Sequence, residues 1–396
     1  MVRIGSVVLA SVLALAGQAL VAPAPAPASP VPASASAGLL DVVVTLRPGT
    51  DPAAAARSLV TARGGKVTAL FSSALDGFAA TLTDALLATL RTDARVRSVE
   101  PERTFRASAT QTPTPSWGLD RIDQRALSLN SAYGFTRMGA GVDVYVVDTG
   151  IYTRHADFAG RAVAGWDYVD HDNTPQDCNG HGTHVAGTAG AGRYGVAKRV
   201  RLIAVRVLGC DGAGDTSTLV SGLGWVVRHH RAGRPAVVNM SLGGPPSAAL
   251  DAAVRSVLAD GVSVVVAAGN DDADACGSSP GRVPGVLTVG ASDRADARAG
   301  FSNYGSCVDL FAPGVGIAST WNDGRAKVLS GTSMAAPHVT GAVALYLQTY
   351  PSATPGAVHR AIVGGATPSR VSGTAPQCVL FLCSAGKPGG ALLYVR

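Results

Sequence analysis

From residue 117 onward the chain repeats one phrase: a short run of uninterrupted apolar residues, a glycine-rich loop, and a stretch with helical spacing. The apolar runs fall at 142–147, 201–207, 236–240, 262–267 and 285–289, and the helical stretches lie near 184–190, 217–230 and 250–260. A strand with one wet face alternates apolar and polar residues. These runs do not, so they predict strands buried on both faces, as in a parallel sheet covered by helices. In such a sheet functional residues gather at the carboxyl ends of the strands.

The front of the chain has a different rhythm. Residues 38–106 read as a strand at 42–46, an alanine-rich helix at 52–62, alternating strands at 66–70 and 77–82, a second helix at 83–91 and a last strand at 96–101. Two helices on a four-stranded sheet make a compact α+β unit. It contains no cysteine. The polar tract 107–116 predicts an exposed, cleavable linker, and 117–396 a larger domain. The expected fold class is α/β, a mostly parallel central sheet with helices on both faces, preceded by the small α+β domain.

Residues 1–28 begin with Arg3, continue through the apolar run 4–22 and enter an Ala/Pro tract at 22–32. This predicts a secretory signal peptide, with Ala28 as one cleavage option, and a Pro/Ala/Ser linker at 29–37. The alternative is a membrane anchor, since the run approaches spanning length. Prolines that follow at once, and six cysteines downstream, point instead to export into an oxidising compartment, so a secreted protein with no stable membrane anchor is expected. Composition changes this picture little: 47% hydrophobic and 15% charged residues over 396 positions supply a sizeable core, and the charge of +6 includes no dense Lys/Arg block of the kind that marks a nucleic-acid partner. A monomer is expected. The only glutamates are Glu100 and Glu102, which excludes a His-Glu-x-x-His zinc hydrolase and leaves aspartate for any later carboxylate chemistry.

Three stretches carry candidate chemistry. Ser333, in Gly331-Thr332-Ser333-Met334-Ala335-Ala336-Pro337-His338, stands where a small-residue turn enters an apolar helix. Backbone N–H groups there favour developing negative charge, which suits a nucleophile; a serine in such a turn can equally be a helix cap. Asp148 follows the run Val144-Tyr145-Val146-Val147, as an orienting acid or an ordinary turn residue. His181, in Asn179-Gly180-His181-Gly182-Thr183-His184, opens a helix and is the candidate base, while His184 falls on the apolar stripe as a structural histidine. The His-x-x-His spacing also admits a metal pair, but no further ligands accompany it. Asn270 ends another apolar run and can donate its amide to an oxyanion or merely form a turn.

Taken together, Val147-Asp148-Thr149-Gly150, His181-Gly182-Thr183-His184-Val185-Ala186-Gly187 and the Gly331–His338 stretch resemble, nearly residue by residue and in order, the subtilisin-like serine proteases (peptidase S8 family). The run from Gly290-Ala291-Ser292-Asp293 through Phe301-Ser302-Asn303-Tyr304-Gly305-Ser306 to Asp309 is similar to the proteinase K branch and its aqualysin-like secreted members. The resemblance covers about residues 109–394. It implies that Asp148 orients His181, that His181 takes the proton of Ser333, and that Ser333 attacks a peptide carbonyl whose oxyanion meets the Asn270 amide. It further implies a substrate edge at Ser241-Leu242-Gly243-Gly244, an S1 wall including Ala268 and Gly269, and a broad preference for apolar or aromatic residues in protein or peptide substrates. By the same resemblance, 38–106 is an inhibitor-type propeptide, an intramolecular inhibitor removed by self-processing.

The six cysteines, Cys178, Cys210, Cys276, Cys307, Cys378 and Cys383, allow about 15 pairings from sequence alone. The aqualysin-like pattern implies Cys178 with Cys210 and Cys276 with Cys307, leaving Cys378 and Cys383 to each other. Structural calcium is implied at the carbonyls of Pro284 and Val286 with the Asp309 carboxylate. A second calcium would use Asp120, Asp123 and Gln124, with Asn130 as a possible further ligand and Ala132 offering no side-chain oxygen; the same Asp-x-x-Asp-Gln at a helix start is equally an N-terminal charge feature. Two other function classes remain at this stage: a catalytically silent binding protein on the same fold, and an esterase, against which stands the absence of a Gly-x-Ser-x-Gly elbow around Ser333.

Overall fold

The computed structural model describes residues 39–73, 75–102, 109–374, 378–379, 382–383 and 390–395. The expected signal peptide and the linker at 29–37 lie outside these residues. The chain divides into two compact units, Met1–Phe105 and Arg106–Arg396.

In the first unit the elements run β1 (Leu40–Leu46), α1 (Pro52–Leu59), β2 (Lys66–Ser72), β3 (Asp76–Leu82), α2 (Asp84–Thr92) and β4 (Val96–Pro101). The sheet is antiparallel with the order β2-β3-β1-β4. Period-two alternation places Val42, Val44 and Leu46 on the core face, where Leu59, Leu86 and Leu90 of the helices cover them. Both helices start where expected because a polar side chain caps each: Asp51 accepts from the Ala53 and Ala54 N–H groups, and Thr83 from that of Leu86.

The second unit begins with β5 (Ala109–Gln111), α3 (Trp117–Ile122), β6 (Tyr133–Phe135), β7 (Asp143–Asp148), β8 (Ala162–Asp167), α4 (His181–Gly190) and β9 (Arg201–Arg206). It continues through α5 (Thr216–His229), β10 (Ala236–Met240), α6 (Ala248–Ala259), β11 (Ser263–Ala267), β12 (Leu287–Ser292), β13 (Leu310–Pro313), β14 (Ile317–Thr320) and β15 (Ala326–Leu329). The last elements are α7 (Thr332–Thr349), α8 (Pro355–Gly365), β16 (Thr367–Val371), β17 (Cys378–Val379), β18 (Leu382–Cys383) and β19 (Gly390–Leu392). The main sheet has the order β16-β19-β13-β12-β11-β10-β7-β9-β8, parallel throughout except for the β16/β19 edge pair.

Successive residues of the apolar runs serve opposite faces. Val144, Val146, Leu202, Ala204, Val237 and Val265 pack with α4 and α7 on one side. Tyr145, Val147, Ile203, Val205, Val238 and Val264 pack with α5 and α6 on the other. From β7 the chain moves outward through β8 and β9, then returns to the other side of β7 with β10. That reversal opens a crevice at the carboxyl ends of β7 and β10.

The polar tract is exposed at Ala109, Thr110, Thr112 and Pro113, yet its described part is tied to the domain. Ala109–Gln111 pairs antiparallel with Tyr133–Phe135, the Thr114 N–H donates to the Ser131 carbonyl, and the Gln111 side chain donates to the Arg193 carbonyl. Backbone pairing needs no apolar residues, so composition did not show it.

Candidate active site

Asp148 is the last residue of β7 and is fully buried, while His181 is the first residue of α4, with a quarter of its side chain exposed. The His181 Nδ1 and Asp148 Oδ1 atoms are 2.7 Å apart. Burial works against a charged imidazole, but the Asp148 carboxylate, with a further contribution from Asp177, outweighs it and lifts His181 above the usual histidine range. The close approach of strand and helix depends on Gly182: a Cβ there would run into the Gly150 carbonyl oxygen and lie 3.2 Å from the Asp148 side chain.

Ser333 is the second residue of α7. Pro337, inside that helix, has no N–H to give to the carbonyl four residues back, which is that of Ser333. The Ser241 hydroxyl takes its place, donating to the Ser333 carbonyl at 2.9 Å, while the Ser333 hydroxyl donates to the Ser241 carbonyl at 3.1 Å. Ser241 directly follows β10, so this reciprocal pair fixes the start of α7 at the crevice. Among the described residues the Ser333 hydroxyl makes its hydrogen bond to Ser241 and not to His181.

Asn270 follows β11 by three residues. Its Oδ1 accepts from the Thr332 N–H at 2.8 Å and from the Thr332 hydroxyl at 2.9 Å, which leaves Nδ2 as the unengaged donor. Asn303 shapes the loop: its Oδ1 accepts from the Asp271 and Ala273 N–H groups, and its Nδ2 donates to the Ala268 carbonyl. Gly269 has φ +102° and a Cβ there would strike Asn303, so the position takes glycine.

Two adjoining depressions make up a cleft. One, of about 580 Å³, is lined by Ser333, Thr332, Asn270, Gly269 and Ala267; the other, of about 610 Å³, by His181, Thr149, Asn179 and Leu208. Leu242, Gly243, Gly244 and Pro245 line both. Of the residues expected to form a substrate wall, Gly269 lines the first depression together with Ala267, while Ala268 is buried, 1% exposed.

His184 is fully buried, with Nε2 3.1 Å from the carbonyl oxygens of Ile317 and Lys327, and burial pushes its pKa down to about 4. His338 behaves alike, its Nδ1 2.9 Å from the Met334 carbonyl and its pKa pushed by burial down to about 4. Both are neutral packing residues at ordinary pH.

Residues 139–384 match the Subtilase family, peptidase S8. The chain belongs to this family. Residues 43–108 match the Peptidase inhibitor I9 family, so the chain carries an inhibitor-type propeptide domain ahead of a serine endopeptidase domain. It is 52% identical to an extracellular serine proteinase of Thermus sp. (strain Rt41A) over 80% of this chain and 78% of that protein. It is 50% identical to the alkaline serine exoprotease A of Vibrio alginolyticus over 78% of this chain, but spans only 58% of that protein. A crystal structure of a cold-adapted subtilisin-like serine proteinase overlays with a TM-score of 0.67 at 49% identity, covering 72% of this chain and 99% of that one.

Disulfides join Cys178 to Cys210 and Cys276 to Cys307. In the β17/β18 hairpin the backbone sets Cys378 opposite Cys383; their side chains lie outside the described residues. Sequence reading had no place for Asp177, which is buried and accepts from Thr149, Asn179, Gly180 and Thr183. The signal was an aspartate four residues before a helix-opening histidine, where free N–H groups collect.

At the positions expected to hold calcium, Asp309 Oδ2 accepts from the Thr288 N–H at 2.9 Å and Oδ1 lies 3.2 Å from His359 Nε2. The side chain is 19% exposed, and a carboxylate at the surface end of a strand fits a hard cation. Asp120 differs. Its oxygens accept from the Asn130 N–H, the Ser131 N–H and the Gln124 amide, and Asp123 accepts from the Gly134 N–H at 2.6 Å. In this arrangement the Asp120 and Asp123 carboxylates cap the loop's own N–H groups.

Proposed function

We propose that the chain is a secreted endopeptidase that cleaves peptide bonds through an acyl-enzyme, with Ser333 as nucleophile, His181 as base and Asp148 as its orienting acid. The observation that carries this reading is the Asp148–His181 pair at 2.7 Å on one side of a cleft and Ser333 beside Asn270 on the other, the two depressions sharing the Leu242–Pro245 lining. A rotation about the Ser333 Cα–Cβ bond exchanges the Ser241 carbonyl for His181 Nε2 as hydroxyl acceptor; resting enzymes commonly hold such bonds in the unproductive arrangement. His181 then takes the proton as Ser333 Oγ bonds to the carbonyl carbon. Asp148 at Nδ1 stabilises the resulting imidazolium, and the same proton passes to the leaving amine as the peptide bond breaks. The oxyanion is received by the Asn270 Nδ2 and the Ser333 N–H at the head of α7. Water repeats the sequence on the acyl-enzyme.

An extended peptide would lie along Ser241-Leu242-Gly243 and reach the depression walled by Ala267 and Gly269 with an apolar or aromatic side chain. The inhibitor-type domain would act as an intramolecular inhibitor until the enzyme cuts it off. Calcium, bound through Asp309 with the Pro284 and Val286 carbonyls, would supply stability and no chemistry.

The test is expression of the full chain beside Ser333→Ala. Secreted wild type should hydrolyse casein, lose that activity to phenylmethylsulfonyl fluoride and show a new N-terminus near residue 109, whereas Ser333→Ala should remain unprocessed and inactive. Equal activity in the two proteins would overturn the assignment of Ser333. Calcium chelation should lower the melting temperature of wild type but much less that of Asp309→Asn.

A further inference from the structure

Asp177 sits between the two halves of the proposed charge pair. Its Oδ1 accepts from the Thr149 hydroxyl at 2.9 Å and from the Asn179 and Gly180 N–H groups at 3.0 and 2.7 Å. Its Oδ2 accepts from the Thr183 N–H at 2.8 Å and the Thr183 hydroxyl at 2.5 Å. Thr149 is the neighbour of Asp148, and its oxygen accepts in turn from the Gly182 N–H at 2.9 Å, while the Thr183 hydroxyl accepts from the Tyr152 N–H at 2.9 Å. One carboxylate therefore ties the loop after β7 to the first turn of α4, and these are the elements that carry Asp148 and His181.

Asp177 is 7% exposed, and no ion pair found among the described residues includes it. Five hydrogen-bond donors converge on two oxygens, an arrangement that suits an acceptor-only carboxylate. A mere loop staple would not need a full charge, since Asn or Ser would cap the turn. We propose that Asp177 is a second positioning acid for the reaction: it holds His181 on Asp148 and places an uncompensated negative charge near the imidazolium that forms in the transition state. Among the described residues, Asp148, Asp177 and the neutral His184 act on His181, with Asp211 on the same depression, and Asp177 is a remote charge that favours the imidazolium. This inference rests on the reading of His181 as base.

The test compares mature wild type with Asp177→Asn and Thr149→Val on a peptide anilide, with active sites counted by an irreversible serine-directed inhibitor. In Asp177→Asn an amide group replaces one acceptor and the charge is gone; kcat should fall on the order of ten- to a hundredfold with little change in KM, and the acid limb of kcat/KM should move to lower pH. Thr149→Val cuts the link to the Asp148 loop but keeps the charge; kcat should fall on the order of tenfold with the acid limb unmoved. Wild-type kcat in Thr149→Val overturns the positioning role even if Asp177→Asn does not fold. A lowered kcat with an unmoved acid limb in Asp177→Asn reduces Asp177 to a structural staple and overturns the charge role. Should His181→Ala also retain activity, the base assignment itself fails; wild-type behaviour of both new variants beside an inactive His181→Ala sinks this inference alone.

Discussion

Asn270 spends half of its amide on the protein and leaves the other half free. Two hydrogen bonds from Thr332, at 2.8 and 2.9 Å, hold Oδ1 and so fix the direction of Nδ2. Asn270→Ala removes the donor outright. In subtilisin, loss of the oxyanion asparagine lowers kcat roughly 10²–10³-fold, and the same order is expected for Asn270→Ala. Thr332→Val isolates the aim of the donor from its presence. It deletes one of the two bonds on Oδ1 and also the acceptor of the Gly269 N–H at 3.2 Å, while the Thr332 N–H keeps its hold. One hydrogen bond is worth about 1 kcal/mol and a buried N–H without a partner costs about 1–3 kcal/mol. The Gly269 N–H is only half-buried, so stability should fall by about 1–2 kcal/mol, and kcat by about fivefold if the bond's worth is felt in the transition state. Asn270→Asp keeps the acceptor and sets a negative charge against the oxyanion, so it should be worse than alanine. The assay is steady-state hydrolysis of a chromogenic peptide anilide per titrated active site, and KM should stay near wild type because the ground-state carbonyl gains little from the donor. An Asn270→Ala enzyme with kcat within threefold of wild type would falsify the oxyanion role.

Each disulfide closes a loop spanning 31 or 32 residues, worth about 3–4 kcal/mol in the chain-entropy account; Cys276→Ser with Cys307→Ser should lower the melting temperature of inhibited enzyme by roughly 7–15 °C, and an unchanged value would count against that contribution. Because His181 must be neutral to act as base and its pKa is raised above 6.5, kcat/KM should be full at alkaline pH and collapse as pH falls through an acid limb above 6.5; a limb below that would contradict the Asp148 pairing. His184 and His338, each held neutral with a pKa near 4, contribute stability that is present above pH 6.5 and lost as pH falls towards 4, up to roughly 3 kcal/mol each, read as a steep drop in melting temperature of inhibited enzyme over that window. Gly182→Ala should abolish activity by forcing α4 away from the Asp148 loop, so a fully active variant would show that the contact yields.

The sequence by itself determined the layers and nominated the candidate chemistry. Apolar runs without alternation force burial on both faces, so the parallel sheet was legible. Asp148, His181, Asn270 and Ser333 were legible because each stands in a short local pattern at the end of an apolar element. What depends on atoms distant in the chain had no such signal. Ala109–Gln111 became a strand only because Tyr133–Phe135 offers its backbone. Ser241 replaced the N–H that Pro337 lacks across 92 positions, and Thr149 found Asp177 across 28. The partners of Asp120 were hidden for the same reason: three N–H donors reach it from the folded loop. Residue type and period fix which groups seek burial or partners; which partner each group finds is decided only when the chain has closed on itself.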